Sequence, residues 1–360
     1  MHPRRNNVSK GEQRMKQKLL TCTVPCYNSA EYMRKCIDSL LVGGEEVEIV
    51  IVNDGSADGT LAIAREYEAA YPSVVRVVDK ENGGHGSGVN AGLARATGLY
   101  FKVVDSDDWL DEDALKTLLA TVRAHVERGC EADLYITDFV YDKVCEGKSF
   151  RRSFRRNFPR NKMFFGWNEV GAFHFSSVLM MHALLYKTQV LRDCGLVLPE
   201  HTFYVDNIYL YKPLPHTKRL CYLELPLYHY LIGREDQSVS HSNITKRYLQ
   251  QIRVMKEMVS AYSYEEVMTM PKGLRRYMKH VLGVIMTLTV MFTTAGKDNI
   301  PARAEAMDAL WEFIRARDKK LFRFLSRRTY PALVYFLPFR LQGMATELGY
   351  RFFRERIKCS

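Results

Sequence analysis

The sequence has no CxxC pair. Its eight cysteines, Cys22, Cys26, Cys36, Cys130, Cys145, Cys194, Cys221 and Cys359, are scattered and have no histidine-rich segment beside them. A zinc ribbon or a disulfide framework is therefore not expected, and reduced thiols in a cytosolic protein are the simpler reading. The N-terminus, "MHPRRNNVSKGEQRMKQK", lacks the apolar core of a secretory signal and reads as a solvated basic tail over residues 1–18. Long hydrophobic runs are missing too. The apolar stretch from Val281 to Phe292 is interrupted by Gly283 and several threonines. It falls short of the roughly 20 residues a spanning helix needs, so a buried core helix is expected. Acidic residues are in deficit, 41 against 52 Lys and Arg, and the formal charge is +11. That excess favours polyanionic partners: nucleic acid, anionic lipid headgroups or phosphorylated small molecules. No internal repeat or low-complexity linker breaks the chain. With 360 residues, 47% hydrophobic and 26% charged, there is material for one large domain and a smaller addition.

Between Leu19 and Asp108, short β-branched runs alternate with helix-period segments, the pattern of βαβ units and a parallel sheet covered on both faces. "LLTCTV", "VEIVIV", "VVRVV" and "GLYFKVV" are the expected strands. The helix in "YNSAEYMRKCIDSLL" takes Asn28 or Ser29 as N-cap, and Asp58 caps the next one. After Asp108 come a helix in "DEDALKTLLATVRAHVERG", a strand in "ADLYITDFVYD", the basic and Phe-interleaved "KSFRRSFRRNFPRNK", and the strand-like "KRLCYLELPLYHYLI". From about Asn243 the chain reads as helices. In open α/β sheets, ligands collect outside the carboxyl ends of the strands. "VPCYNS", "VNDGSADGT" and "VVDSDD" all lie at such ends.

"VVDSDD" places three carboxylates, Asp105, Asp107 and Asp108, within four residues. One would satisfy a helix N-terminus; three exceed that need. Hard divalent cations such as Mg2+ or Mn2+ take oxygen ligands, and Mg2+ is commonly held by one or two carboxylates plus substrate phosphates. A metal–phosphate site is the favoured reading, with Asp108 equally explained as a cap for the helix that starts near Asp111. In "VPCYNS", Pro25 fixes the chain at a strand exit and Tyr27 offers a flat face for a base. Asp54 in "NDGS" can accept from a base or ribose, or close an Asx-turn in its own loop. Around Gly84, "ENGGHGSGVNAG" lets backbone N–H groups approach a ligand at a helix N-terminus. Its glycine spacing is not that of a dinucleotide fingerprint.

Taken in order, "TVPCYNSAEYMRKCIDSLL", "EIVIVNDGSADGT", "NGGHGSGVNAGLARATGLYF" and "VVDSDDWLD" resemble the family 2 glycosyltransferases, over roughly residues 19–240. The resemblance implies an α/β GT-A fold, a nucleotide-binding, mostly parallel sheet with flanking helices, and inversion of the anomeric centre. It implies that Tyr27 and Asp54 hold the uracil of a UDP-sugar. Asp105 and Asp107 would be the acids of the DXD motif, Asp107 as the direct metal ligand and Asp105 and Ser106 near ribose or diphosphate. The family places a general base downstream, often in an acidic pair before a helix. "FYVDNIYL" has Val205 where the commoner pattern has Glu, which leaves Asp206, whose other reading is a helix N-cap. In "YLIGREDQSVS", Arg234 and Ser238 resemble residues that approach the diphosphate; a solvated turn is the alternative. "QQIR" at Gln250–Arg253 is treated as chance, because Val254 stands where the QxxRW motif of processive synthases has Trp. His229 is read as a packed strand residue.

These readings divide the chain into a tail, a catalytic domain over 19–242 (nucleotide-binding part 19–110, acceptor part 111–242) and a helical C-terminal region over 243–360. The expected enzyme uses Mg2+ or Mn2+ and moves a sugar from a UDP-sugar to a glycan or lipid-linked acceptor for a cell-envelope product. "LPFRLQGMATELGYRFFRERIK" fits an amphipathic helix lying on anionic lipid, or equally a helix packed on the catalytic domain. The former would make the enzyme cytoplasmic and peripheral on the inner membrane face. A sugar nucleotidyltransferase is an alternative, though it would usually begin with a basic glycine-rich loop, which "VPCYNS" is not. A non-catalytic RNA-binding or scaffold protein is a second, motivated by the charge and by "FRRSFRRNFPRNK". Nucleic acid is the less favoured partner.

Overall fold

Every residue of β1 (Leu20–Cys26) and β2 (Val47–Asp54) is buried. Strands covered on both faces read as near-continuous apolar runs, as these do. In the computed structural model the described residues are 18–143, 147–175, 177–233, 241–296, 298–329, 331–339 and 341–345. The basic tail, Arg234, Ser238 and most of the C-terminal basic–aromatic segment lie outside them. β1 pairs in parallel with β2 and with β4 (Tyr100–Val103), and β2 with β3 (Val75–Lys80). The sheet continues from β4 through three further strands: β8 (Leu184–Lys187), β6 (Leu134–Lys143) and β9 (Leu220–Ile232). It ends at the short β5 (Trp109–Leu110), and β7 (Lys148–Arg152) pairs antiparallel with β6. Pro226 sits at a register shift of β9 against β6, where a missing N–H does least harm to the ladder.

The helices α1 (Met33–Leu41), α2 (Thr60–Ala70) and α3 (His85–Arg95) connect the parallel strands. The glycines of α3 have a packing reason. A Cβ at Gly88 would stand 2.9 Å from Pro25 Cβ, and one at Gly92 would stand 1.9 Å from Thr23 Oγ1. α3 therefore lies closer on β1 than side chains permit, which brings its first turn to the strand ends. Gly92→Ala should lower stability by about 1–3 kcal/mol, the usual cost of overpacking, read as a fall in the unfolding midpoint.

α4 (Glu112–Glu127) is capped by Asp111, whose side chain accepts from the Ala114 N–H at 2.8 Å. α5 (Thr188–Asp193) and α6 (Asp206–Tyr211) complete the sheet domain. The helical region comprises α7 (His241–Lys246), α8 (Tyr248–Ala261), α9 (Tyr264–Thr269), α10 (Lys272–Ala295), α11 (Ile300–Arg317), α12 (Lys319–Arg328) and α13 (Ala332–Tyr335). α10 has 24 residues, longer than the apolar run alone suggests, and by length and composition it could cross a membrane. Its Leu282, Ile285, Met286 and Val290 are buried, and it packs on α8. Trp167 and Tyr277 stack at 5.5 Å between ring centroids, joining α10 to the sheet domain.

The basic "KSFRRSFRRNFPRNK" is no free loop. It forms β7, buries Phe154 and Phe158, and pairs Arg151 with Asp138 (2.6 Å) and Arg155 with Glu224 (3.3 Å).

Candidate functional site

The carboxyl ends of β1, β2 and β4 meet the start of α3, and side chains tie the loops together. Ser29 Oγ lies 2.7 Å from Ser106 Oγ, Asn28 Oδ1 accepts from the Ala57 N–H at 2.9 Å, and the Ala30 N–H donates to Asp58 at 3.1 Å. The expected capping of α1 by Asn28 or Ser29 does not occur. The helix begins at Met33 after a turn over residues 29–32, because both side chains are engaged across loops. Tyr27 is exposed at the mouth, while Pro25 is buried against Gly88 and shapes the strand exit.

Asp54 is buried. Its Oδ1 accepts from the Gly83 N–H (2.9 Å) and Lys80 Nζ (2.7 Å), and its Oδ2 from the Gly84 N–H (2.7 Å). The carboxylate thus braces the turn that starts α3, in which Gly84 has φ 82°, a conformation suited to glycine.

Asp105, Ser106, Asp107 and Asp108 form the turn between β4 and β5. His85 Nε2 lies 2.8 Å from Asp105 Oδ1. Burial works against a charged His85, but Asp105 outweighs it and lifts the imidazole above its ordinary value, with Asp206 and Asp107 adding. Burial would likewise raise Asp105, yet His85, His182 and Lys102 hold it below the usual carboxylate range. Asp108 goes the other way. Burial, then the charges of Asp107 and Asp105, push it well above that range. The hydrogen bonds it accepts from Tyr228 Oη (2.6 Å) and the Leu231 N–H (2.8 Å) oppose the shift. Asp108 therefore does not cap α4, a task Asp111 performs. Crowding of this kind favours the neutral form of Asp108 unless positive charge is near.

Beneath the turn, Lys102 of β4 is buried and donates to the carbonyl of His182 at 2.6 Å. Burial brings its ammonium down to about 7 and the His182 imidazole down to about 4, so His182 is neutral. Asp105, Asp108 and His182 each offer a ligand atom, all within 4.8 Å of one another. Asp107, the ligand expected from the resemblance, is half-buried on the same turn.

Asp206 opens α6. The cap position is Val205, which makes no side-chain cap bond, so capping is not what holds Asp206 there. Burial raises its carboxyl to about 6, with His85 opposing and Asp105 adding. The loop before it contains two left-handed non-glycine residues, His201 (φ 48°) and Tyr204 (φ 64°). Such backbone costs of order 1–3 kcal/mol per residue and persists only where neighbours impose it. Here the His201 N–H donates to the Gly83 carbonyl (2.6 Å) and the Phe203 N–H to Gln250 Oε1 (2.9 Å). Arg253 Nη1 donates to the Glu200 carbonyl (3.1 Å) and Thr202 Oγ1 (3.0 Å). Gln250 and Arg253 of "QQIR" have a local role: α8 uses them to hold the loop leading to Asp206. His229 is packed, stacked on Trp109 and bonded to Asp142 at 2.7 Å.

His85, Lys102 and His182 are the members that sequence reasoning missed. A lysine inside an otherwise apolar strand and a histidine inside a glycine run were the available signals. Nothing local marks His182.

A parallel β3-β2-β1-β4 half joined to a mixed half, in which β8 runs antiparallel to β4 and β6 while β9 runs parallel to β6, with an acidic turn at the end of β4, is the GT-A fold. Residues 21–186, just under half of the chain, match Glycosyl transferase family 2. Glycosyltransferase GlyA of Streptococcus pneumoniae is 33% identical over 129 residues, 36% of this chain and 18% of that protein. Putative glycosyltransferase EpsH of Bacillus subtilis is 35% identical over 136 residues, 38% of each chain. The chain thus spans well under half the length of these curated relatives. Residues 1–349 of S. aureus TarS, also solved with UDP-GlcNAc and with UDP, share the fold at TM-score 0.64 and 21% identity, over 92% of this chain and 91% of that one.

Proposed function

We propose that the protein transfers a sugar from a UDP-sugar to an acceptor hydroxyl, by one in-line displacement that inverts the anomeric carbon. The carrying observation is the approach of Asp206 to the Asp105–His85 pair. The fold brings a carboxylate from α6 to the acidic turn after β4 and tunes it to about 6. Such a base is deprotonated at neutral pH and still draws a proton effectively.

Tyr27 gives uracil a face, and Asp54, whose Oδ2 keeps one unused lone pair, reaches the base from the facing loop. Pro25 and Gly84 shape the floor, and Asp105 and Ser106 lie toward ribose and diphosphate. Arg234 and Ser238, assigned to the diphosphate by resemblance, lie outside the described residues. TarS with UDP-GlcNAc bound supports the choice of a UDP-sugar. The acidic turn fits a divalent cation: among the described residues Asp108 is buried with no ion-pair partner, and His182 Nε2 stands 4.0 Å from Asp105 Oδ2. Asp107 and Asp105 would hold Mg2+ or Mn2+, which when bound neutralises charge on the departing UDP. Asp206 takes the acceptor proton on the opposite face of the sugar, and His85 steadies Asp105.

The acceptor we assign is a glycan or lipid-linked saccharide of the cell envelope, reached from the cytoplasmic side. Six free cysteines among the described residues support a reducing compartment. Exposed Phe336, Leu341 and Met344 follow Arg327 and Arg328 of α12, a basic–apolar combination that suits an anionic lipid surface. The protein should co-sediment with anionic vesicles and not with neutral ones, and added salt should release it; equal recovery with both would end the membrane reading.

The deciding experiment is a UDP-release screen across UDP-sugars and other nucleotide-sugars, with Mn2+, with Mg2+ and with neither. Turnover confined to a UDP-sugar, with release of UDP, supports the proposal. A nucleotidyltransferase would instead exchange pyrophosphate.

A further inference from the structure

Resting on the metal-dependent reading of the acidic turn, we infer that His182 supplies a nitrogen ligand there and biases the site toward Mn2+ over Mg2+. The ring is 4% exposed, and its Nδ1 has no hydrogen-bond partner among the described residues. The unpartnered Nδ1 leaves Nε2, the nitrogen turned toward the acids, as the one able to take a cation. Nε2 stands 4.0 Å from Asp105 Oδ2. That is beyond hydrogen-bonding reach. It suits two atoms bound to one cation through bonds of about 2.1 Å. Asp108 belongs to the same set, every ligand atom within 4.8 Å of the others.

The imidazole is held in place. Tyr230 stacks on it at 4.3 Å and Tyr228 meets it edge-on at 4.6 Å between centroids, while Lys102 grips its carbonyl at 2.6 Å. With Nδ1 unbonded, no neighbour fixes the tautomer, and Nε2 is able to present its lone pair. Mg2+ demands oxygen ligands in a near-ideal octahedron and keeps several waters, so an imidazole in this place serves it poorly. First-row transition ions accept nitrogen more readily. The carboxylates of the turn alone would suit either ion.

The test is Mn2+ binding by the full chain, followed by EPR titration in the presence of UDP with Mg2+ as competitor. Wild type is compared with His182→Phe, which keeps the ring packing. We expect wild type to bind Mn2+ about tenfold or more tightly than Mg2+, and His182→Phe to lose most of that preference by weakening Mn2+ alone. Pulsed EPR of Mn2+ on wild type should show nitrogen coupling, kept in His85→Phe and lost in His182→Phe. This reading on wild type stands even if a variant folds poorly. Equal Mn2+ affinity in folded wild type and His182→Phe, or bound Mn2+ without nitrogen coupling, overturns the role of His182 and leaves the metal site standing. Wild type that binds neither ion overturns both.

Discussion

Asp206→Asn should lower kcat by about 10²–10⁴-fold, the contribution of a general base, and leave UDP binding unchanged. The substitution keeps the size of the side chain and the start of α6, so the loss falls on proton removal. The pH profile carries the same information. Burial raises the Asp206 carboxyl to about 6, and the base works only when deprotonated. The rate of the wild-type enzyme should therefore fall about tenfold per pH unit below that point. Above it this group imposes no further change. In Asp206→Asn the acid limb should vanish along with the rate. An acid limb that persisted at full turnover would remove Asp206 from the reaction.

Asp107→Asn should abolish most metal-dependent turnover, a fall in kcat/KM of about 10²–10³-fold, since a Lewis-acid cation contributes several kcal/mol. Adding Mn2+ should not restore it. Asp105→Asn should do as much and also remove the negative charge beside His85, at 2.8 Å in the native protein. UDP release and calorimetric UDP binding, each with and without Mn2+, read both effects. Retention of the wild-type metal response by both variants would show that the acidic turn does not hold the ion.

The nucleotide half of the site was legible because its parts are local. Each loop follows its strand directly, so "VPCYNS", "NDGS" and "VVDSDD" announce strand ends by composition and periodicity alone. The acidic crowding of Asp105, Asp107 and Asp108 was visible as a problem in electrostatics. Its internal division was not. Burial and its acidic neighbours push Asp108 up against the hydrogen bonds from Tyr228 and Leu231 of β9, while His85, His182 and Lys102 hold Asp105 down. The capping of α1 was misread for a related reason: Asn28 and Ser29 are engaged by Ala57 and Ser106 in other loops.

"QQIR" shows the same limit from the other side. Judged as a motif it fails at Val254. In the fold, Gln250 and Arg253 reach back to the loop at 200–203 and set the approach to Asp206.

By itself the sequence determined the alternation of strands and helices, the parallel sheet that alternation implies and the identity of the acids at its edge. Those follow from side-chain periodicity and from chemistry packed into a few adjacent residues. Only the tertiary structure decided which of those acids stays charged, that His85, Lys102 and His182 surround them, and that Asp206 shares their cleft. Proton affinity and ligand geometry depend on burial and on distances between residues far apart in the chain, and neither quantity exists until the sheet has closed.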